Sequence, residues 1–264
     1  MTLSNEMNPD LDRLRSVLAS MPGLAVAVSG GVDSLTLAHV ASAVCPDFEA
    51  VHAVSPAVPA SATERVRRHA KAHRWRFRLI ETGEFADTAY LKNPVDRCYY
   101  CKSNLYRRMR EVVGSKVIAS GTNLDDLEDY RPGLNAASET GVVHPFVLAG
   151  IGKAALRGIA RSLALVDIAE LPAQPCLASR VETGIAIDAT ALGFIDRVEA
   201  EVRQHIANAD VRCRITPMGV RLETSEQPPE AVLAVIAAWC ESAGKTWLGL
   251  SEYRRGSAFK HGLG

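Results

Sequence analysis

Three short stretches carry residue types that could do chemistry. The first is SGGVDS, residues 29–34. Gly30 and Gly31 let a backbone turn sharply and approach an anion closely. Ahead of a helix, the free N–H groups of such a turn would face that anion. Ser29 and Ser34 add hydroxyl donors. Asp33 cannot favour a phosphate directly, so its expected work is to hold Mg²⁺ or to order the loop. The Lys of a G-x-x-x-x-G-K-[ST] loop is absent, which counts against a Walker-type nucleoside triphosphatase. The second stretch is NPVDRCYYCK, residues 93–102, where Cys98 and Cys101 stand at C-x-x-C spacing. That spacing suits a zinc knuckle, a redox pair or an iron–sulfur site, and a structural zinc site wants four N/S ligands. Cys176, in QPCLASR (174–180), is the one further candidate. Cys45 and Cys240 fall in apolar helices and Cys213 in an alternating strand, where buried inert thiols are the better reading. The third stretch is GTNLDDLEDYRPG, residues 121–133. Asp125, Asp126, Glu128 and Asp129 form an acidic cluster with metal-binding potential. Its plainer reading is a solvated turn, with Asp125 or Asp126 capping a short helix and Arg131 as an ion-pair partner.

The elements that must position these residues follow from the apolar pattern. Leu11, Leu14, Val17 and Leu18 recur at helical spacing behind the cap candidate Asp10. LAVAV (24–28) reads as a buried parallel strand after Pro22-Gly23. A helix from 34 to about 44, a strand at 48–54, a basic helix over about 60–73 and an alternating strand at 75–81 follow. A helix at 101–113 and a strand at 116–121 complete a β-α-β-α rhythm. The expected class is α/β, a doubly wound parallel sheet. Ligands collect at the carboxyl ends of such strands, so residues 121–133 should face SGGVDS. After about Gly184 the rhythm changes to a helix (188–207), strand-like VRCRI (211–215) and GVRLE (219–223), a helix (229–243) and WLGL (247–250). This predicts a first domain over 1–183 and a small α+β domain over 184–264.

SGGVDS between a strand and a helix resembles the PP-loop of the ATP pyrophosphatase superfamily, with its adenine nucleotide alpha hydrolase-like fold. Members cleave ATP between the α- and β-phosphates and adenylate an acyl or carbonyl oxygen. The wider series adds N-P-x-x-R-C-Y-x-C-K, G-T-N-x-D-D-x-x-D-Y-R-P-G, P-C-L-A-S-R and Y-R-R-G-S (253–257). In that order, from about Leu11 to Ser257, it resembles the LarE family, ATP-dependent sulfur transferases of nickel-pincer nucleotide biosynthesis. The resemblance implies adenylation of pyridinium-3,5-biscarboxylic acid mononucleotide and replacement of oxygen by sulfur. It implies that Ser29, Gly30, Gly31, Asp33, Ser34, Gly121 and Asp126 serve ATP and Mg²⁺, with Glu128 a further Mg²⁺ candidate. Cys176 matches the cysteine that supplies or positions sulfur. In the sacrificial form, cleavage of its Cβ–S bond leaves dehydroalanine. In other members, cysteines matching Cys98, Cys101 and Cys176 hold a [4Fe-4S] cluster with one iron open to an extra sulfide. Retention of all three cysteines favours the cluster form.

Arg212 and Arg214 match positions used at the substrate phosphate. Guanidinium forks suit that work, and alternation puts both on one strand face. Arg180 follows Cys176 by four residues. It is either an aid to the thiolate or the acyl-adenylate, or a surface ion pair. Glu223 is a candidate to orient the arginines. The resemblance further implies a homo-oligomer, a second domain for substrate or oligomerisation, and a sulfur donor or nickel-insertion partner.

Composition narrows the remaining classes. Among 264 residues, 47% are apolar and 23% charged, an ordinary globular balance. Lys+Arg and Asp+Glu are both 30, so no general electrostatic grip on nucleic acid or membrane is expected. The basic run Arg65, Arg67, Arg68, Lys71, Arg74, Arg76 and Arg78 suits a tRNA-thiolating relative, but reads more simply as a solvated helix face plus outward strand positions. A non-catalytic adenine nucleotide sensor and a thiolating or amidating PP-loop enzyme for another small substrate are the other rivals. No apolar run is long enough to span a bilayer, and the first residues lack an apolar leader segment, so a cytoplasmic protein with reduced thiols is expected.

Overall fold

The computed structural model describes residues 8–127, 132–206, 209–254 and 256–258. The chain runs α1 (Pro9–Ala19), β1 (Leu24–Ala27), α2 (Val32–Val44), β2 (Phe48–Val54), α3 (Ala60–Ala72), β3 (Phe77–Glu81), α4 (Thr88–Leu91), α5 (Arg97–Val113) and β4 (Val117–Ala119). It continues through α6 (Gly133–Glu139), α7 (Pro145–Leu148), α8 (Lys153–Ser162), α9 (Val166–Ala169), α10 (Ala189–His205), β5 (Val211–Thr216), β6 (Gly219–Thr224), α11 (Glu230–Ser242) and β7 (Trp247–Glu252). Two compact units divide it. The first comprises Met1–Ser55, Ser61–Gly83 and Cys98–Ala173, and the second Pro56–Ala60, Glu84–Arg97 and Gln174–Gly264.

The first unit is an α/β layer structure. Its sheet is wholly parallel, with strand order β3-β2-β1-β4. Strand β1 is central, and side chains alternate between faces along it. Leu24 and Val26 join Leu14, Leu18, Leu35 and Ile159 in the core under α1, α2 and α8. Ala25 joins Tyr106, Met109 and Ile118 under α5 on the other face. Burial on both faces explains why β1 reads as an unbroken apolar run rather than an alternating one. The doubly wound sheet expected from the sequence is the one observed.

Several element boundaries differ from expectation by a few residues, those of β3 and α5 among them. β3 starts at Phe77, not Trp75, because Arg74 adopts φ 53° and the Trp75 N–H turns back to the Ala70 carbonyl. Helix α5 starts at Arg97, so Cys98 is helical together with Cys101.

The second unit carries the expected small α+β arrangement. β5 and β6 form an antiparallel hairpin, and β7 adds to β6 in parallel. Leu192, Ile195 and Val198 of α10 and Ile236 of α11 are buried, as are Val211, Cys213 and Leu222 of the sheet. Asn93 ties the 84–97 segment into this unit. It sits at φ 52°, a left-handed conformation that Asn tolerates. Its side-chain amide donates to the carbonyls of Glu182 and Ile185, both at 2.9 Å. Among the described residues no helix is long and apolar enough to cross a membrane.

Candidate active site

The loop 29–34 closes β1 onto α2 in the first unit. Gly31 is the residue before α2 and caps it with no side chain. The first returning helical bond runs from Leu35 N–H to Gly31 O, 3.1 Å. The N–H groups of Val32, Asp33 and Ser34 therefore fall outside the helical ladder, at the positive end of the helix dipole. Gly30 has φ +87°, and a Cβ there would lie 2.7 Å from the Ala62 carbonyl oxygen. Ser34 Oγ accepts from Ser29 N–H at 3.0 Å and lies 3.1 Å from Ser29 Oγ. The two hydroxyls thus brace the loop's ends. Behind the loop, His52 Nδ1–H donates to the Val28 carbonyl at 2.6 Å, and its Nε2 accepts from Thr63 at 2.9 Å. Arg65 of α3 donates to the Gly30 carbonyl at 2.8 Å.

The end of β4 meets this loop, as the strand topology requires. A Cβ on Gly121 would lie 2.8 Å from the Ser34 backbone nitrogen, so only glycine allows the approach. Asp33 is not left open. Lys153, the first residue of α8, places Nζ 2.5 and 2.7 Å from its two carboxylate oxygens. Burial pushes the Asp33 carboxyl up, Lys153 draws it down, and the Asp126 charge pushes it up again; the net direction is upward. Asp126 accepts from the backbone and side-chain N–H groups of Asn123, at 3.2 and 3.1 Å. Asp125 accepts from the Lys153 backbone N–H. Asp33 and Asp126 present hard oxygen donors of the kind Mg²⁺ takes. Glu128, with Asp129 and Arg131, lies outside the described residues.

Sequence reasoning did not single out Lys153, which lies 120 positions from Asp33. It supplies a cation beside a loop that lacks a lysine of its own. Arg65 was seen only as one of a basic run. The rest of that run is exposed, and Arg68, Arg76 and Arg78 are paired with Asp167, Asp47 and Glu49. Such pairing with acids is what a solvated face makes.

The cysteines fall in two groups. Cys45, Cys213 and Cys240 are buried. Burial pushes all three thiols up, Cys213 furthest, which makes them inert. Cys98 and Cys101 stand one turn apart on α5 of the first unit, both half-buried. Cys176 belongs to the second unit and is half-buried at the start of a 3₁₀ turn, Leu177–Arg180. Partly accessible soft thiols suit iron–sulfur ligation as a donor set.

Within the second unit, Arg180 clamps the Cys176 segment. It is 1% exposed and forms a two-pronged pair with Glu199, Nε–Oε1 and Nη2–Oε2, both 2.8 Å. Its remaining nitrogen donates to the carbonyls of Pro175 (2.6 Å) and Cys176 (3.2 Å). The surface ion pair weighed from the sequence is therefore a buried one, and the guanidinium holds the backbone that carries the thiol. Arg212 and Arg214 are buried too, on a strand whose opposite face buries Val211 and Cys213. Arg214 donates to Glu223 at 2.8 Å and to the Ser179 carbonyl at 2.9 Å. Ser257 donates to the same Glu223 carboxylate at 2.8 Å. Arg212 lies under the Tyr253 ring, 5.3 Å from its centroid, and burial draws its pKa down. A cavity of about 440 Å³ opens here, lined by Arg214, Arg221 and Arg254 together with Glu182, Glu223 and Glu252. Arg214 reaches this cavity and Arg212 does not line it.

A parallel sheet of order 3-2-1-4, with an SGGVDS loop joining its central strand to a helix, defines an α/β protein of the PP-loop type. No protein-family model matches the chain. It is 35% identical over 226 residues to an uncharacterized protein of Synechocystis sp., covering 84% of this chain and 82% of that one. A match to an uncharacterized protein of Methanocaldococcus jannaschii is 29% identical and covers 70% and 71% of the two chains. The chain belongs to the family of the Synechocystis protein, a PP-loop family of LarE-like type. More distantly, it is similar to the pyridinium-3,5-bisthiocarboxylic acid mononucleotide synthase of Lactiplantibacillus plantarum, 28% identical over 159 residues and 58% of each chain.

Proposed function

We propose that this protein is an ATP-dependent sulfur transferase acting on pyridinium-3,5-biscarboxylic acid mononucleotide. The observation that carries the reading is the loop 29–34, with α2's first N–H groups, Gly121 and the Asp33–Lys153 pair around it. The similarity to the Lactiplantibacillus synthase supports the choice of substrate. A substrate carboxylate oxygen attacks the α-phosphorus of ATP, and the α–β P–O bond breaks. Pyrophosphate leaves into the donors of the loop, which stabilise its charge without reorganising. Asp33 and Asp126 would hold the Mg²⁺ that screens the phosphates. In the sacrificial route the Cys176 thiolate then attacks the acyl carbon, and AMP leaves with the C–O bond's electron pair. Arg180 is a positioning residue in this step. Arg214, with Arg212 behind it, serves the substrate phosphate.

Sulfur release follows one of two routes. In the sacrificial route, loss of the Cys176 Cα proton breaks its Cβ–S bond, giving the thiocarboxylate and dehydroalanine. In the cluster route, which retention of three cysteines favours, Cys98, Cys101 and Cys176 would hold a [4Fe-4S] cluster. That group, when bound, would supply sulfide sulfur from an external donor.

The test compares wild type and Cys176→Ala with ATP, Mg²⁺ and the dicarboxylate nucleotide. Pyrophosphate release should persist in the variant and thiocarboxylate should vanish. Loss of both, or thiocarboxylate from the variant, overturns the role of Cys176. Iron and acid-labile sulfide per chain, with intact mass after turnover, separates the routes. Stoichiometric iron with unchanged mass means the cluster, and a mass loss of hydrogen sulfide at Cys176 means sacrifice.

A further inference from the structure

The first unit holds a group of side chains that this chemistry does not use. His39 of α2 faces His69 of α3, with Nε2 of the first 2.9 Å from Nδ1 of the second. His73 follows His69 by one helical turn, so its ring falls on the same side. One ring nitrogen from each of the three lies within 4.8 Å of the others. We propose that His39, His69 and His73 bind one divalent transition-metal ion of the zinc class, with a fourth position open to solvent.

Four observations support this. The ligand type is right, because neutral imidazole is a preferred donor for zinc and its first-row neighbours. The spacing is within reach, since tetrahedral zinc bonds of about 2.0–2.1 Å set ligand nitrogens roughly 3.3 Å apart. His39 and His69 need open by only a few tenths of an ångström, and exposed His73 can swing inward. The second shell is present, because Asp167 accepts from His69 Nε2 at 3.0 Å and leaves Nδ1 aimed at the centre. A carboxylate behind a ligating histidine fixes its tautomer and raises its basicity. Finally, a hydrogen-bonded chain accounts for only two of the three rings. His39, His69 and Asp167 form that chain by themselves. Among the described residues the His73 ring has no hydrogen-bond partner, yet its centroid lies 4.4 Å from that of His39. Trp75 backs the group, 4.8 Å from His39, and the side carrying His73 is open to water. Three protein ligands with an open position describe an exchangeable ion rather than a closed structural one.

The test uses the full chain stripped by a chelator, with Cys98, Cys101 and Cys176 all changed to Ser so that thiolates cannot bind. Zinc is titrated against a chromophoric chelator, and cobalt substitutes for zinc in absorption spectra. The variant should bind one equivalent of zinc, and its cobalt form should display ligand-field bands without thiolate-to-cobalt charge transfer. Asp167→Asn should weaken binding about 10–100-fold, the usual loss for an outer-shell partner. His73→Ala removes a ligand, so its loss should be larger. His73 is exposed, so an unchanged melting curve without zinc certifies the fold of that variant. Absence of stoichiometric zinc, or His73→Ala binding as tightly as its parent, overturns the proposal and leaves a hydrogen-bonded histidine cluster only.

Discussion

Glu199→Gln probes both the stability of the second unit and the hold on Cys176. The Glu199 carboxylate is fully buried and accepts two hydrogen bonds from Arg180, one from Arg203 at 2.7 Å and one from the Cys213 N–H at 3.0 Å. Glutamine keeps the volume but removes the charge, and turns an N–H₂ toward one of these donors. The Arg180 charge is then buried without compensation, which costs about 3–5 kcal/mol. For a chain of this size that lowers Tm by roughly 6–20 °C. Burial pushes the Glu199 carboxyl up, but the Arg180 hydrogen bonds and charge, with Arg203 and the Cys213 N–H, hold it below the ordinary carboxylate range. A depressed folded-state pKa gives stability that is complete above the unfolded value of about 4.3 and is lost as pH falls through the folded value. The gap between wild type and variant, measured by urea unfolding, should be flat from pH 8 to about 5 and narrow in stronger acid. Because Arg180 also holds the Pro175 and Cys176 carbonyls, thiocarboxylate formation should fall on the order of 10²-fold, as for a misplaced reacting group. Pyrophosphate release should change far less. A gap under about 1 kcal/mol at pH 7, the scale of an exposed pair, would refute the reasoning. So would a gap that persists undiminished in acid.

Gly121→Ala places a Cβ 2.8 Å from Ser34 N and 3.0 Å from both Ser34 Cα and Asp33 C, all backbone atoms. It should cost about 1–3 kcal/mol and displace the first turn of α2; calorimetric titration should find ATP binding weakened, and unchanged affinity would count against the phosphate site. Lys153→Met removes the cation that draws Asp33 down against burial and Asp126. The Asp33 carboxyl should then protonate at still higher pH, so the acid limb of pyrophosphate release moves upward in pH. An unmoved limb would mean that Asp33 does not serve the reaction.

What the sequence made legible was local. LAVAV, FEAVHAV and the Gly-rich turn carry their own period and backbone requirements, so β1, β2 and the loop onto α2 could be read from consecutive residues. The burial of Cys213 followed from alternation alone. Non-local pairs were not legible. Nothing near Asp33 announces Lys153, and nothing near Cys176 announces that Glu199 will meet Arg180 one helix later. Asn93 looked like the start of a cysteine motif, but its amide instead organises the 181–185 segment. The histidines were overlooked because His69 and His73 sit inside a basic run, and His39 lies 30 residues before His69 on another helix. The i, i+4 spacing of His69 and His73 was the available signal.

The buried charges of the second unit need a reason beyond stability. Arg180, Glu199, Arg212, Arg214 and Glu223 are all nearly inaccessible. Well-packed apolar side chains in such places are commonly as stabilising as an ion pair, or more so. A small unit with a limited core therefore gains no clear stability from burying five charges. What the charges do give is fixed direction. The planar Arg180 fork, locked on Glu199, turns its remaining nitrogen to the Pro175 and Cys176 carbonyls and the Ser179 hydroxyl. The Arg214 fork, locked on Glu223, directs its other edge to Ser179, two residues beyond Leu177. One short segment, 175–179, is thus held by two guanidinium groups that their carboxylate partners keep from rotating away. Apolar packing would hold it loosely, because dispersion has little angular preference. For a thiol with the sulfur-delivering role proposed for Cys176, orientation is the scarcer quantity, and this network supplies it.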